Sequence, residues 1–194
     1  MTTDSNEFFE YLKPVYSDCI RFCKYLTKDL NKFNYEDVFQ QSMLIACEKF
    51  NTLIDKSKFK SWIFTIILRE SKNFYRKNFW RKFISIEDSP DALNLEYTQD
   101  TIEDIDKKNL LITALNKLSK KEKESILLFE LGGFSIEEIK DIQNEKSLSS
   151  VKSRLSRSRK KLQHFIIKNK PDFNSNNRET LEDETIKILQ RTNG

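Results

Sequence analysis

The chain has 194 residues, enough for one large domain or two small ones, each with a modest core. Three Gly and three Pro disfavour a turn-rich all-β fold, whereas long periodic runs of Lys, Glu, Leu, Ile and Asn favour an all-α chain of two small domains. The formal charge of +4 is mild and unevenly laid out: residues 69–82 and 151–168 are basic, and residues 84–106 carry eight acids with no Lys or Arg.

Residues 1–10 lack the cationic start and apolar run of a signal peptide, and the longest apolar cluster, residues 62–68, is too short to span a bilayer; a cytoplasmic, reduced protein is expected. Leu12, Tyr16, Cys19, Cys23, Leu26 and Leu30 fall at steps of three and four, which predicts one helical stripe running to about Leu30, with Pro14 tolerated near its start. Cys19, Cys23 and Cys47, with His164 as the only histidine, cannot complete a zinc site, and they read as small core residues; no metal and no cofactor are expected. Asn34 is a candidate N-cap for a second helix with Phe39, Met43, Ala46 and Phe50 on its inner side. Its outer side carries Asp37, Gln40, Gln41, Leu44 and Glu48, a polar face with one leucine.

After a loop at residues 51–57, a third helix is predicted from about Lys58 to Phe83, burying Phe59, Trp62, Ile63, Ile66, Ile67 and Phe74. In its second half Lys72, Asn73, Tyr75, Arg76, Phe79, Trp80, Arg81 and Lys82 interleave cations with aromatics. Such a mixture neutralises phosphate and stacks unpaired bases. The acidic segment that follows contains Ser89, Pro90 and Asp91 and little periodicity, as a flexible linker would.

Helical spacing resumes at Leu111, Leu115 and Leu118. Ser119 with Glu122, and Ser135 with Glu138, have capping-box spacing, and Gly132 and Gly133 form a stop between them. A polar turn at residues 144–146 leads through Ser147 to a long helix with Val151, Leu155, Leu162 and Ile166 inward. Lys152, Arg154, Arg157, Arg159, Lys160 and Lys161 are expected outward. A short capped helix, a turn and a longer basic helix make a helix-turn-helix, whose second helix enters the major groove by its N-terminal end. Ser150, Lys152, Ser153, Ser156 and Arg157 supply the short polar donors and cations that base edges and phosphates require.

Five blocks in this order carry a family resemblance: EDVFQQSM (residues 36–43), FKSWIFTI (59–66), LSKKEKE (118–124), GFSIEEI (133–139) and VKSRLSRSRKKL (151–162). Together they resemble the extracytoplasmic-function type of bacterial RNA polymerase sigma factor. The resemblance implies a region 2-like domain at residues 1–83, an acidic linker at 84–106, a region 4-like helix-turn-helix domain at 107–168 and a C-terminal extension at 169–194. It implies that Asp37, Gln40, Gln41 and Leu44 dock on the polymerase core. Leu53, Lys56, Arg69, Lys72, Asn73 and Arg76 are implied in melting the minus-ten element and holding its single strand. Ser150, Lys152, Ser153, Arg154, Ser156 and Arg157 are implied in contacting the duplex minus-thirty-five element. RNA polymerase core and promoter DNA, duplex and single-stranded, are the implied partners, with room left for an anti-sigma factor.

The chain departs from the family pattern in three places. Arg69 stands where Asn is common. The turn before the last helix is one residue longer, with Glu145 and Lys146 in place of the customary Gly and Ile. Residues 169–194 extend past the usual end; Pro171 opens a linker-like stretch, and Leu181, Ile188 and Leu189 have the spacing of a short helix. A stand-alone helix-turn-helix repressor or activator with an N-terminal dimerisation or sensor domain is the competing reading. A nucleic-acid enzyme is disfavoured, because the sequence has no phosphate-binding glycine loop and no metal-spaced acids.

Overall fold

The computed structural model describes residues 3–27, 35–84 and 102–169, with side chains for residues 6–27, 35–77 and 109–169. These residues form helices α1 (Thr3–Leu12), α2 (Tyr16–Thr27), α3 (Tyr35–Lys49), α4 (Phe59–Ile84), α5 (Ile102–Leu115), α6 (Lys120–Glu130), α7 (Ile136–Ile142) and α8 (Leu148–Asn169). No strand occurs among the described residues, and no helix there is long and apolar enough to cross a membrane. Two compact units result: α1 to α4 make the first, and α5, α6, α8 and most of α7 make the second. Leu30, Asn34, residues 85–101 of the acidic segment and residues 170–194 of the extension lie outside the described residues. Helix α5 begins at Ile102, so helical structure reaches back into the segment read as a linker.

The first unit departs from the expected single stripe at its start. Pro14 has no amide hydrogen to continue a helix, and the chain passes through one tight 3-10 turn, Lys13–Val15, between α1 and α2. Tyr16 consequently leaves the buried stripe, stands exposed, and packs edge-on against Phe39 at 5.5 Å. Cys19, Phe22, Cys23 and Leu26 remain inward. Burial, and secondarily Asp18, pushes the Cys19 thiol up to about 12, and burial also pushes Cys23 up. Both sulfurs are therefore protonated packing groups at neutral pH.

On the inner side of α3 the expected Ala46 is buried, as is Phe50 just past its end, but at the two earlier positions burial falls one residue before the expected Phe39 and Met43. Val38, Ser42 and Ala46 face inward, while Phe39 and Met43 are only half-buried. Two of the three inward side chains are small, which lets α3 lie close to its neighbours. The Ser42 hydroxyl donates to the Val38 carbonyl at 2.6 Å, so no polar group is stranded. The first half of α4 is buried nearly all round, through Phe59, Ile63, Phe64, Ile66, Ile67, Leu68 and Ser71. Phe8, Phe50 and Phe59 meet edge-on at centroid distances of 5.6 to 5.9 Å, which joins α1, the turn just after α3 and the start of α4 in one aromatic cluster.

The second unit follows its capping signals. The Ser119 amide donates to Glu122 at 2.9 Å and the Glu122 amide donates back to the Ser119 hydroxyl. Ser135 and Glu138 repeat the exchange at the start of α7. Each such cap stabilises its helix by about 1 kcal/mol. The two glycines between α6 and α7 have separate reasons to be glycine. A Cβ on Gly132 would meet the Phe134 ring and the Leu128 carbonyl at 2.5 to 2.6 Å, and Gly133 takes a φ of +65°. Leu111, Leu115, Ile126, Leu127, Ile139, Val151, Leu155 and Leu162 close the core.

Candidate nucleic-acid interfaces

The loop between α3 and α4 is built from two 3-10 turns, Phe50–Thr52 and Lys56–Lys58. Asp55 caps the second by accepting from the Ser57 amide at 3.0 Å and the Ser57 hydroxyl at 2.6 Å. Those hydrogen bonds hold the Asp55 carboxyl below its ordinary range. Lys56 donates to the Phe50 carbonyl at 2.9 Å, and its ammonium lies 3.4 Å from the centre of the Phe50 ring. The cation thus serves the loop itself. Leu53 is half-buried, whereas Ile54, a position outside the expected set, is 97% exposed.

Along α4, Arg69 and Arg76 are exposed, and Lys72 and Asn73 are half-buried. Asn73 donates to Glu70 at 3.0 Å and accepts from Arg76 at 3.2 Å, so both side chains are oriented within the helix. Tyr75 is not a loose stacking ring. Its hydroxyl donates to the Leu26 carbonyl at 2.9 Å and fastens the basic half of α4 to the end of α2. The side chains of Phe79 and Trp80 lie outside the described set. On α3, Asp37, Gln40, Gln41 and Leu44 are all exposed, and Leu44, at 60%, is a large apolar side chain left in water.

The turn into α8 runs over residues 143–147. Asn144, not Glu145, takes the left-handed position, with φ 52°. The Glu145 amide donates to the Lys140 carbonyl at 2.8 Å and the Asn144 amide to the Asp141 carbonyl at 3.1 Å, the paired bonds of a Schellman ending. Ser147 then caps α8 by accepting from the Ser149 amide at 3.2 Å, and Ser150 donates to the Ser147 carbonyl at 2.7 Å.

Arg154 corrects the sequence reading. Expected outward among the groove cations, it is buried, at 9% exposure, and donates to Glu145 at 2.8 Å and to Ser125 at 3.3 Å. The signal was present in the spacing: Arg154 lies three residues after Val151 and four before Ser158, both fully buried. Arg159 and Lys161 also turn toward α6. Arg159 donates to Glu130 and stacks on Phe129 at 4.7 Å, and Lys161 donates to both oxygens of Glu122 at 2.9 Å. Burial works against the Glu122 carboxylate, but bonds from Lys161 and Ser119 outweigh it and hold the group below its ordinary value. Lys121, then Arg154, lowers Glu145 in the same way. Lys152, Ser153, Ser156, Arg157 and Lys160 remain exposed on the outer face of α8.

Residues 10–81 match the family description Sigma-70 region 2, and residues 108–162 match Sigma-70, region 4. The fold is similar to the sigma factor RpoE solved with the anti-sigma factor NepR from Bartonella quintana, at 27% identity and a TM-score of 0.65, over 82% of this chain and 96% of that one. CnrH, solved with the cytosolic domain of CnrY, shares the fold at 18% identity and a TM-score of 0.60, over 84% of this chain and 89% of that one. A comparison with curated proteins gives no match. Two helical units carrying these two regions define a sigma factor of transcription initiation. The chain belongs to the sigma-70 family, as a member of its extracytoplasmic-function type.

Proposed function

We propose that the sigma activity of this chain is divided among three surfaces. The exposed face of α3, with Asp37, Gln40, Gln41 and Leu44, docks on the polymerase core. The ordered loop with Leu53 and Lys56, together with Arg69, Lys72, Asn73 and Arg76 on α4, holds the single strand of the melted minus-ten element. The start of α8 presents Ser150, Lys152, Ser153, Ser156 and Arg157 to the duplex minus-thirty-five element. On this reading residues 1–83 and 107–168 are the two working domains, residues 84–106 connect them, and residues 169–194 form an extension. The chain works by binding, without a catalytic site, in the cytoplasm where core enzyme and DNA meet. An anti-sigma protein is a natural further partner, since both solved relatives were captured with a second protein named in their descriptions.

The observation that carries the reading is the sorting of charge on α8. Arg154, Arg159 and Lys161 pair with carboxylates of the same unit, and Lys152 and Arg157 are left exposed near the N-terminal end. A groove-docked helix uses that end for base edges. Purified chain with core enzyme, assayed on fork-junction and duplex promoter fragments, tests the division. Replacing Asp37 and Gln41 is expected to weaken competition for core while helicity by circular dichroism is retained; unchanged competition would refute the docking face.

A further inference from the structure

Arg154 and Glu145 touch none of the three surfaces above, yet their side chains join three elements. Arg154 on α8 reaches Glu145 in the turn and Ser125 on α6. The same Glu145 oxygen accepts from Lys121, also on α6, at 2.9 Å. Glu145 is held at its backbone too, through its amide bond to the Lys140 carbonyl. The guanidinium is a rigid planar fork, so two partners on different elements fix the direction from which it leaves α8. The side chains of the pair are only 10% and 14% exposed, which shields the contact from salt more than a surface pair would be.

We propose that Glu145 and Arg154 form a latch that sets the docking angle of α8 in the major groove, with Arg154 a positioning residue that contacts neither phosphate nor base. The proposal rests on reading α8 as the groove helix. Lys152, Ser153, Ser156 and Arg157 lie within three residues of Arg154 on the same rigid helix, so any roll or tilt of α8 moves all four. Hydrogen bonds to base edges depend strongly on such geometry, while phosphate contacts tolerate more displacement. Loss of the latch is therefore expected to blur sequence discrimination more than it lowers overall DNA affinity. The conformation of the turn makes the contact available. Asn144 absorbs the left-handed conformation, and the next position is left to a residue with a carboxylate.

The test uses the full chain with core enzyme. A duplex is first selected from a random-sequence library by the unaltered protein. Affinity for that duplex and for a scrambled one is then measured over a salt series. Glu145→Gln and Arg154→Met are each expected to reduce the selected-to-scrambled ratio on the order of tenfold, as loss of a charged hydrogen bond would. The slope of log affinity against log salt should stay unchanged, and the double variant should be no worse than the more damaging single one.

A slope reduced by about one in Arg154→Met would mean a direct phosphate contact and overturn the proposal. So would a lowered melting temperature with an unchanged ratio, the mark of a purely structural role. If Arg154→Met does not fold, the near-isosteric Glu145→Gln carries the test, and an unchanged ratio there refutes the latch. Failure of the unaltered chain to select any duplex would instead refute the groove reading of α8.

Discussion

Along α8, Arg154, Arg159 and Lys161 are committed to carboxylates of the turn and of α6. Along the described part of α4, Arg69 and Arg76 stand exposed, and Arg76 donates to the neighbouring Asn73. On the proposed division of labour the contrast follows from two tasks. A duplex reader must hold one helix at a defined angle, so part of its positive charge serves as fastening and the remainder as contact. A surface that follows a flexible single strand needs cations whose side chains can move to meet phosphate, while its backbone is fixed by other means. In α4 those means are the aromatic cluster at its start and the Tyr75 bond to α2.

The sharpest way to break the comparison is to unfold one unit alone. Both tryptophans, Trp62 and Trp80, belong to the first unit, so indole fluorescence follows that unit and circular dichroism follows both. Phe50→Ala removes a fully buried ring and is expected to destabilise the first unit by about 3 to 5 kcal/mol. In urea, the fluorescence transition should move to lower concentration while the remaining dichroism transition stays in place. A single shifted transition by both probes would show that the units do not unfold separately.

A smaller effect is expected from Arg157→Ala, which should weaken duplex promoter binding by about 1 to 3 kcal/mol if the guanidinium reads a base edge. The same substitution should leave binding of a single-stranded minus-ten oligonucleotide unchanged. Equal losses on both substrates would dissolve the distinction between the two basic helices.

The smallest effect concerns acid. Glu122 and Glu145 have folded-state values below their ordinary 4.5, so each stabilises the second unit when ionised. That contribution is present above the unfolded-state value and is lost as pH falls below about 4.5 and through the folded-state value. The dichroism transition of the second unit should therefore weaken on acidification more in the unaltered chain than in a Glu122→Gln, Glu145→Gln double variant. Identical acid profiles would remove the ion pairs from the account of how α8 is held.

Local signals with a single physical solution were legible in the sequence. The two Ser–Glu capping boxes, the Gly132 and Gly133 stop, and the exposed face of α3 were all readable from spacing and residue type. What escaped was tertiary. In the first half of α3 the inward positions are the small or slim Val38 and Ser42, which let neighbours approach closely, and the larger Phe39 and Met43 beside them stay half-buried; only Ala46 and Phe50 of the expected inner set are fully covered. Arg154 escaped because its charge points outward while its periodicity points inward, and burial needs partners such as Glu145 and Ser125 that only the tertiary structure brings near. The partner, Glu145, lies in a turn whose geometry depends on Asn144 adopting positive φ.

The loop between α3 and α4 is already shaped in the chain by itself, through the Asp55 cap and the Lys56 ammonium over Phe50. Its loss of conformational entropy therefore falls on folding, and the strand capture proposed above would begin from a loop already ordered, with the Ile54 side chain in open water. On that proposal, a nucleotide arriving there would gain apolar contact without first having to organise the loop. Sequence changes that loosen the Lys56 anchor would thus slow promoter melting through the population of competent loops, even where every atom that meets the strand is kept.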